Sequence, residues 1–171
     1  LEEPVEYYVP GIRQTDIKEG GILSFSEGVR SILRQDPDVI FIGEIRDEAT
    51  AKIALRSAMT GHLVIATVHS YDCYGVPARL VDLGLQPSLL SGHILCAVSQ
   101  RLVRKICFAC NTQGCDICHQ TGYKGRSALV EILHFDDEID QIISAGANRS
   151  LIKQYCLKKG HLTLWHDGQH K

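Results

Sequence analysis

The sequence predicts an α/β fold: an incomplete parallel-sheet core, a small tetracysteine insertion and a C-terminal strand with helices. Three observations predict it. Two apolar, β-branched runs, DVIFI at 38–42 and LVIATV at 63–68, flank an Ala-rich stretch. Each run ends in polar residues, Gly43-Glu44 after the first and His69-Ser70 after the second. Two CxxC pairs, Cys107/Cys110 and Cys115/Cys118, follow further along the chain.

Continuous rather than alternating apolar runs suit strands buried on both faces of a parallel sheet. Residues 48–59 are rich in Ala, with Ile53 and Leu55, and begin acidic, as a helix N-terminus prefers. Strand, helix and strand therefore follow at the spacing of one βαβ unit. In open parallel sheets ligands bind at the carboxyl ends of the strands. Glu44 sits at such an end, where a carboxylate can hold Mg²⁺ or orient an attacking water. A helix cap or a partner for Arg46 is the alternative reading. The chain has no G-x-x-x-x-G-K-[ST], the loop that usually cradles the phosphates.

Composition narrows the classes. The 171 residues allow one sizeable domain, or a core with an appendage. A charged content of 22% and a net charge of -2 give no global drive toward nucleic acid or anionic membrane. No apolar run approaches the ~20 residues of a membrane span. Glu2, Glu3 and Glu6 stand where a signal peptide would be basic. The first residues resemble the end of a strand, so a piece of a longer protein is expected.

The two CxxC pairs lie four residues apart. Four thiolates so placed fit tetrahedral Zn²⁺, with Cys107, Cys110, Cys115 and Cys118 as ligands. Disulfides or a redox pair are the alternatives. Cys73, Cys96 and Cys156 read as buried small hydrophobes.

The remaining elements follow from local signals. Residues 1–21 read as extended and turn-like, with Pro4, Pro10, Gly20 and Gly21. Residues 24–34 read as a helix capped by Ser26, and 75–83 as a short helix. Residues 86–106 read as a longer apolar helix with a basic end, and 127–133 as a strand. Residues 136–144 and 148–159 read as helices, and the His- and Gly-rich last dozen as loose.

Taken together, these blocks resemble the C-terminal part of a bacterial secretion ATPase of the type II secretion and type IV pilus assembly family. EEPVEY at 2–7 resembles its acidic Asp box, and DPDVIFIGEIRD at 36–47 its Walker B block. Residues 60–70, from Thr60-Gly61-His62 to His69-Ser70, resemble its His box. Residues 107–118 with TGYKGR at 121–126 resemble its tetracysteine subdomain and the segment after it. Glu3 replaces the usual Asp, and Tyr71-Asp72-Cys73-Tyr74 replaces small polar residues. The short loop between the CxxC pairs is similar to the competence-pilus type. The family's Walker A loop lies upstream of the Asp box.

The resemblance implies a RecA-like core over 1–106, a zinc-binding insertion at 107–126 and a C-terminal strand and helices at 127–171. It implies that Glu44 acts on Mg²⁺ and water, with Glu2 and Glu6 near the metal and His62 and His69 as the His-box pair. Glu3, Arg46 and Asp47 complete the nucleotide-side set, although Arg46 and Asp47 also read as fixing the strand-to-helix turn. It implies ATP hydrolysis in a cytoplasmic hexamer at the inner face of the membrane, working on an inner-membrane platform protein. No direct nucleic-acid partner is expected. This chain alone is expected to be inactive. The alternative is a non-enzymatic zinc module, with Arg101, Arg104, Lys105, Lys124 and Arg126 as a basic patch.

Overall fold

A computed structural model describes residues 1–18, 21 and 23–171. The turn expected at Gly20 lies outside them. The βαβ unit is present: β1 (Val39–Ile42), α2 (Glu48–Met59) and β2 (Leu63–Ala66) follow α1 (Phe25–Ile32). β1 and β2 pair in parallel, with Val39 opposite Leu63 and Ile42 opposite Ala66. The α1 cap is Ser24, not Ser26: Ser24 and Glu27 form a reciprocal capping box.

Burial of this sheet departs from expectation. Ile40 and Ile42 are 1% and 0% exposed, yet Val39 and Phe41 are 52% and 42% exposed. Leu63 and Ile65 are exposed likewise. The runs have the composition for two-sided burial, but one face of the pair has no cover among the described residues.

α3 (Val76–Asp82) and the single turn α4 (Pro87–Leu90) lead to β3 (Cys96–Ile106). The helix expected over 86–106 is therefore wrong beyond Leu90. Residues 96–106 pair antiparallel with β4 (Tyr123–His134), from Cys96 opposite His134 to Ile106 opposite Tyr123. Ala97 and Ser99 alternate inward, a period-two signal that the apolar, basic-ended composition masked. Cys96 is exposed at the start of β3, against expectation, whereas Cys73 and Cys156 are buried.

α5 (Asp137–Ser144) and α6 (Arg149–Lys158) close the core with Ile139, Ile143 and Ile152, each at most 1% exposed. The last residues are not loose. They form α7 (Leu164–Gln169), tied down where Asp167 accepts from the Val130 amide at 2.8 Å and Leu164 donates to Glu131 at 3.0 Å. One apolar core runs from Leu1 and Val29 through Ile42 to Ile152. Between β2 and β3, whose other edges are paired, lies a cavity of about 810 Å³ walled by 63–68 and 94–101.

Candidate functional site

The site forms where β1 ends. The Gly43 amide donates to the Leu1 carbonyl at 2.7 Å, and the Leu1 nitrogen donates to the Phe41 carbonyl at 2.9 Å. A Cβ on Gly43 would sit 3.0 Å from that carbonyl oxygen and 3.2 Å from Glu2 Cα, so the approach leaves little room for a side chain. It lays the acidic N-terminal segment against the strand end. Glu2, Glu3, Glu6 and Glu44 line one cleft of about 180 Å³ together with Phe25 and Phe41.

The Glu44 and Glu3 side chains are both 17% exposed. Glu44 is contacted at both carboxylate oxygens. The Glu44 Oε1 pairs with the Arg46 guanidinium, which also reaches Glu3 at 3.0 Å. Its Oε2 is buried. His69 Nε2 stands 3.3 Å from that oxygen, in ion-pair range but not aligned as a hydrogen bond. The Arg46 hydrogen bond outweighs burial and, with the charges of Arg46 and His69, holds the Glu44 carboxyl below its usual range. Glu44 is thus an anion at neutral pH with one buried oxygen left unsatisfied, an arrangement suited to a cation or water.

Thr67 sets this spacing, a role that sequence reasoning missed. Its hydroxyl donates to the Gly43 carbonyl, and its own carbonyl accepts from Ile45 at 2.9 Å. The two strand ends are therefore stitched together beneath Glu44 and His69. The only sequence signal was a polar residue within an apolar run, one position before its end.

Two expected residues lie elsewhere. His62 is at the opposite end of β2, where its Nδ1 stands 3.1 Å from the Ser57 carbonyl and 3.2 Å from the Thr60 hydroxyl. It caps the C-terminus of α2 and is not brought to the cleft. Asp47 is the N-cap of α2, accepting from the Thr50 amide at 2.8 Å and the Thr50 hydroxyl at 3.0 Å. A further joint was invisible locally. Asp72, just past His69, takes the Arg149 guanidinium in a two-point pair, with Nε to Oδ1 at 3.0 Å and Nη2 to Oδ2. This ties the loop after β2 to the start of α6.

The four cysteines converge at the tip of the β3–β4 ribbon. Their sulfurs all lie within 4.8 Å of one another. Cys107–Cys115, Cys110–Cys118 and Cys115–Cys118 are 3.9, 3.7 and 3.7 Å apart. These distances exclude disulfides, and they match the ~3.8 Å edge of a tetrahedron with ~2.3 Å metal–sulfur bonds. Burial pushes the Cys118 thiol up. The amides of Cys115 and Gly122, at 3.3 and 3.2 Å, and the neighbouring thiols bring it down to about 6. A soft, closed, four-sulfur set fits Zn²⁺.

The cleft and the sulfur centre place the chain in a class: a RecA-like α/β core carrying a tetracysteine arm. The chain belongs to the family described as Type II/IV secretion system protein, which matches residues 1–171. It is 41% identical over 198 residues to the type IV pilus assembly ATPase PilB of Thermus thermophilus, covering 100% of this chain and 22% of that protein. It is 41% identical over 177 residues to the type II secretion system protein HxcR of Pseudomonas aeruginosa, covering 99% and 38%. The chain thus spans well under half the length of these relatives. Among solved structures it resembles the pilus retraction motor PilT with bound ADP, with a TM-score of 0.71, 28% identity, and 99% of this chain on 51% of that one. It also resembles the Legionella pneumophila ATPase DotB, with a TM-score of 0.72, 25% identity, and 99% on 46%.

Proposed function

We propose that this chain is the C-terminal part of the ATPase core of a cytoplasmic motor that drives pilin or pseudopilin assembly. The observation that carries the reading is the convergence of Glu2, Glu3, Glu6 and Glu44 on one cleft beside His69. Hard carboxylate oxygens suit Mg²⁺. Glu44, Glu2 and Glu6 would hold it; ATP would supply the phosphoryl group transferred to water, with ADP as the leaving group, and the ion would neutralise phosphate charge. Glu44 orients the attacking water through the oxygen not engaged by Arg46. His69 donates toward the phosphate end, and Arg46 fixes Glu3 and Glu44 relative to each other. Thr67 and Asp47 keep the two strand ends and the first turn of α2 in place.

The 810 Å³ cavity between β2 and β3 supports the view that the core is partial, because two open sheet edges face each other across an apolar gap. The reading divides the chain into a core portion at 1–106, a zinc-binding insertion at 107–126 and a C-terminal portion at 127–171. It places the whole protein in a hexameric ring at the inner face of the membrane, working on a membrane platform protein.

The test is ATPase activity of this chain alone and joined to a family segment carrying a G-x-x-x-x-G-K-[ST] loop. The expected result is little activity alone and activity when joined. Glu44→Gln in the joined protein should lower kcat by about a hundredfold or more, the loss of a positioned water and metal contact. Joined protein that keeps its kcat with Glu44→Gln would overturn the role of Glu44.

A further inference from the structure

The β3–β4 ribbon carries an uneven surface that the cleft does not use. Over residues 101–130 there are five Lys and Arg side chains and one carboxylate, Asp116. Arg101, Arg104, Lys105, Lys124 and Arg126 are all exposed, and none is ion-paired with a carboxylate among the described residues. Arg104 and Arg126 stand directly opposite each other in the antiparallel register. Like charges in that position repel, so the ribbon is less stable for holding them there. Even four thiolates around a divalent metal, net -2, leave the arm positive. The rest of the molecule is acidic enough to bring the whole chain to -2, so the positive field is local to the arm.

Apolar side chains share this arm. Leu102, Ile106 and Ile117 are exposed, and Phe108 at the tip is 85% exposed. Cys107 and Cys110, on either side of the tip, are committed to the sulfur cluster, so Phe108 projects from a fixed turn.

We propose that the β3–β4 arm is a peripheral membrane anchor that docks on anionic lipid through Arg104, Lys105, Lys124 and Arg126 and inserts Phe108 into the interface. The mixture of residues favours lipid over nucleic acid. Aliphatic side chains gain nothing from phosphates but partition into the acyl boundary beside basic residues. Single-stranded nucleic acid is held by bases stacked on several free aromatic faces. The Tyr123 ring, one of two aromatics on the arm, is covered by the Arg104 guanidinium 4.1 Å from its centroid. No described helix is long and apolar enough to cross a membrane, so attachment through this arm is a surface contact. The inference is independent of the ATPase reading.

Flotation of the full chain with vesicles tests it. The chain should float with mixed phosphatidylcholine–phosphatidylglycerol vesicles and not with phosphatidylcholine alone, and salt should weaken the binding. Arg104→Gln with Arg126→Gln should weaken partitioning about thirtyfold, at about a factor of five per charge. Phe108→Ala should weaken it about tenfold. Arg104→Lys with Arg126→Lys should keep binding, and Val39→Ser, on the open sheet face, should leave it unchanged. Metal content and circular dichroism of each variant report folding. Three results overturn the proposal: arm variants that bind like the parent, equal binding to neutral vesicles that Val39→Ser reduces, or tighter binding to single-stranded oligothymidine that the double glutamine variant abolishes.

Discussion

The two β pairs of this molecule end in opposite ways. β1 and β2 are short, parallel and strongly apolar, yet Val39, Phe41, Leu63 and Ile65 face outward. β3 and β4 are long, antiparallel and more polar, yet one face of their base, with Ala97 and Leu133, is covered by α7 and the turn at 73–75, and their tip is closed by four cysteines. Apolar composition reports what a strand is built to bury, not what this stretch of chain covers. Antiparallel pairing needs only a neighbour close in sequence, whereas a parallel sheet needs several crossovers to close both faces.

The largest expected effect breaks the closed side of this comparison. Removing metal from the sulfur cluster, or Cys107→Ser, should unfold the arm at 107–122, since structural zinc contributes on the order of 10 kcal/mol to the folding of small metal sites. Hydrogen exchange should rise there by orders of magnitude while α5 and α6 stay protected. Equal protection with and without metal would remove zinc as the element that closes the ribbon tip.

Core truncation sharpens the comparison on the open side. Ile40→Ala should cost about 2–4 kcal/mol in denaturant unfolding, because Ile40 is 1% exposed. Val39→Ala, one residue earlier on the open face, should cost less than about 1 kcal/mol. In a longer protein that covers this face, the Val39 cost should climb toward that of Ile40. Equal costs in both settings would mean that the open face stays open.

How much of this was legible follows the same divide. Residues 48–59 were read to the residue, because Ala content, an acidic first turn and the flanking strands all agreed. Residues 96–106 were misread because their partner lies at 123–134 and only pairing makes them a strand. The residues that the fold brings to the candidate cleft could be named from local signals at Glu44 and His69, and through the family resemblance at Glu2, Glu3 and Glu6. What stayed hidden joins distant residues: Arg46 to Glu3 across 43 positions, and Arg149 to Asp72 across 77. No local pattern encodes such pairs. His62 shows the converse, a motif residue that the fold uses to end a helix.

The Asp72–Arg149 pair is one tie between the open and closed halves, so weakening it is the next smaller test. Arg149→Met leaves the largely buried Asp72 carboxylate without its two-point partner and should cost about 1–2 kcal/mol, with the exposed part of the Arg149 side chain limiting the loss. Arg149→Lys should recover only part, since a point charge cannot replace the fork. Full stability in Arg149→Met would mean that the pair adds nothing to the other joints between the halves, such as the Cys73 thiol on the Ala97 and Glu131 carbonyls.

The smallest effect lies wholly in the closed half and is read through pH. Asp136 caps α5 by accepting from the Ile139 amide at 3.0 Å and accepts from the Tyr155 hydroxyl at 2.7 Å. Burial works against its charge, but these two bonds and the Lys159 charge hold its carboxyl below the usual range. A depressed carboxyl stabilises the fold above its unfolded value of 3.8, and that stability is lost as pH falls through the lower folded value. Asp136→Ala should therefore cost about 1 kcal/mol at neutral pH and progressively less below pH ~4, where the unfolded parent takes up a proton before the folded one. The stability difference between the two proteins, measured by unfolding from pH 7 down to 3, should shrink at the acid end. A difference that stays constant across that range would show that Asp136 acts through packing rather than through its charge.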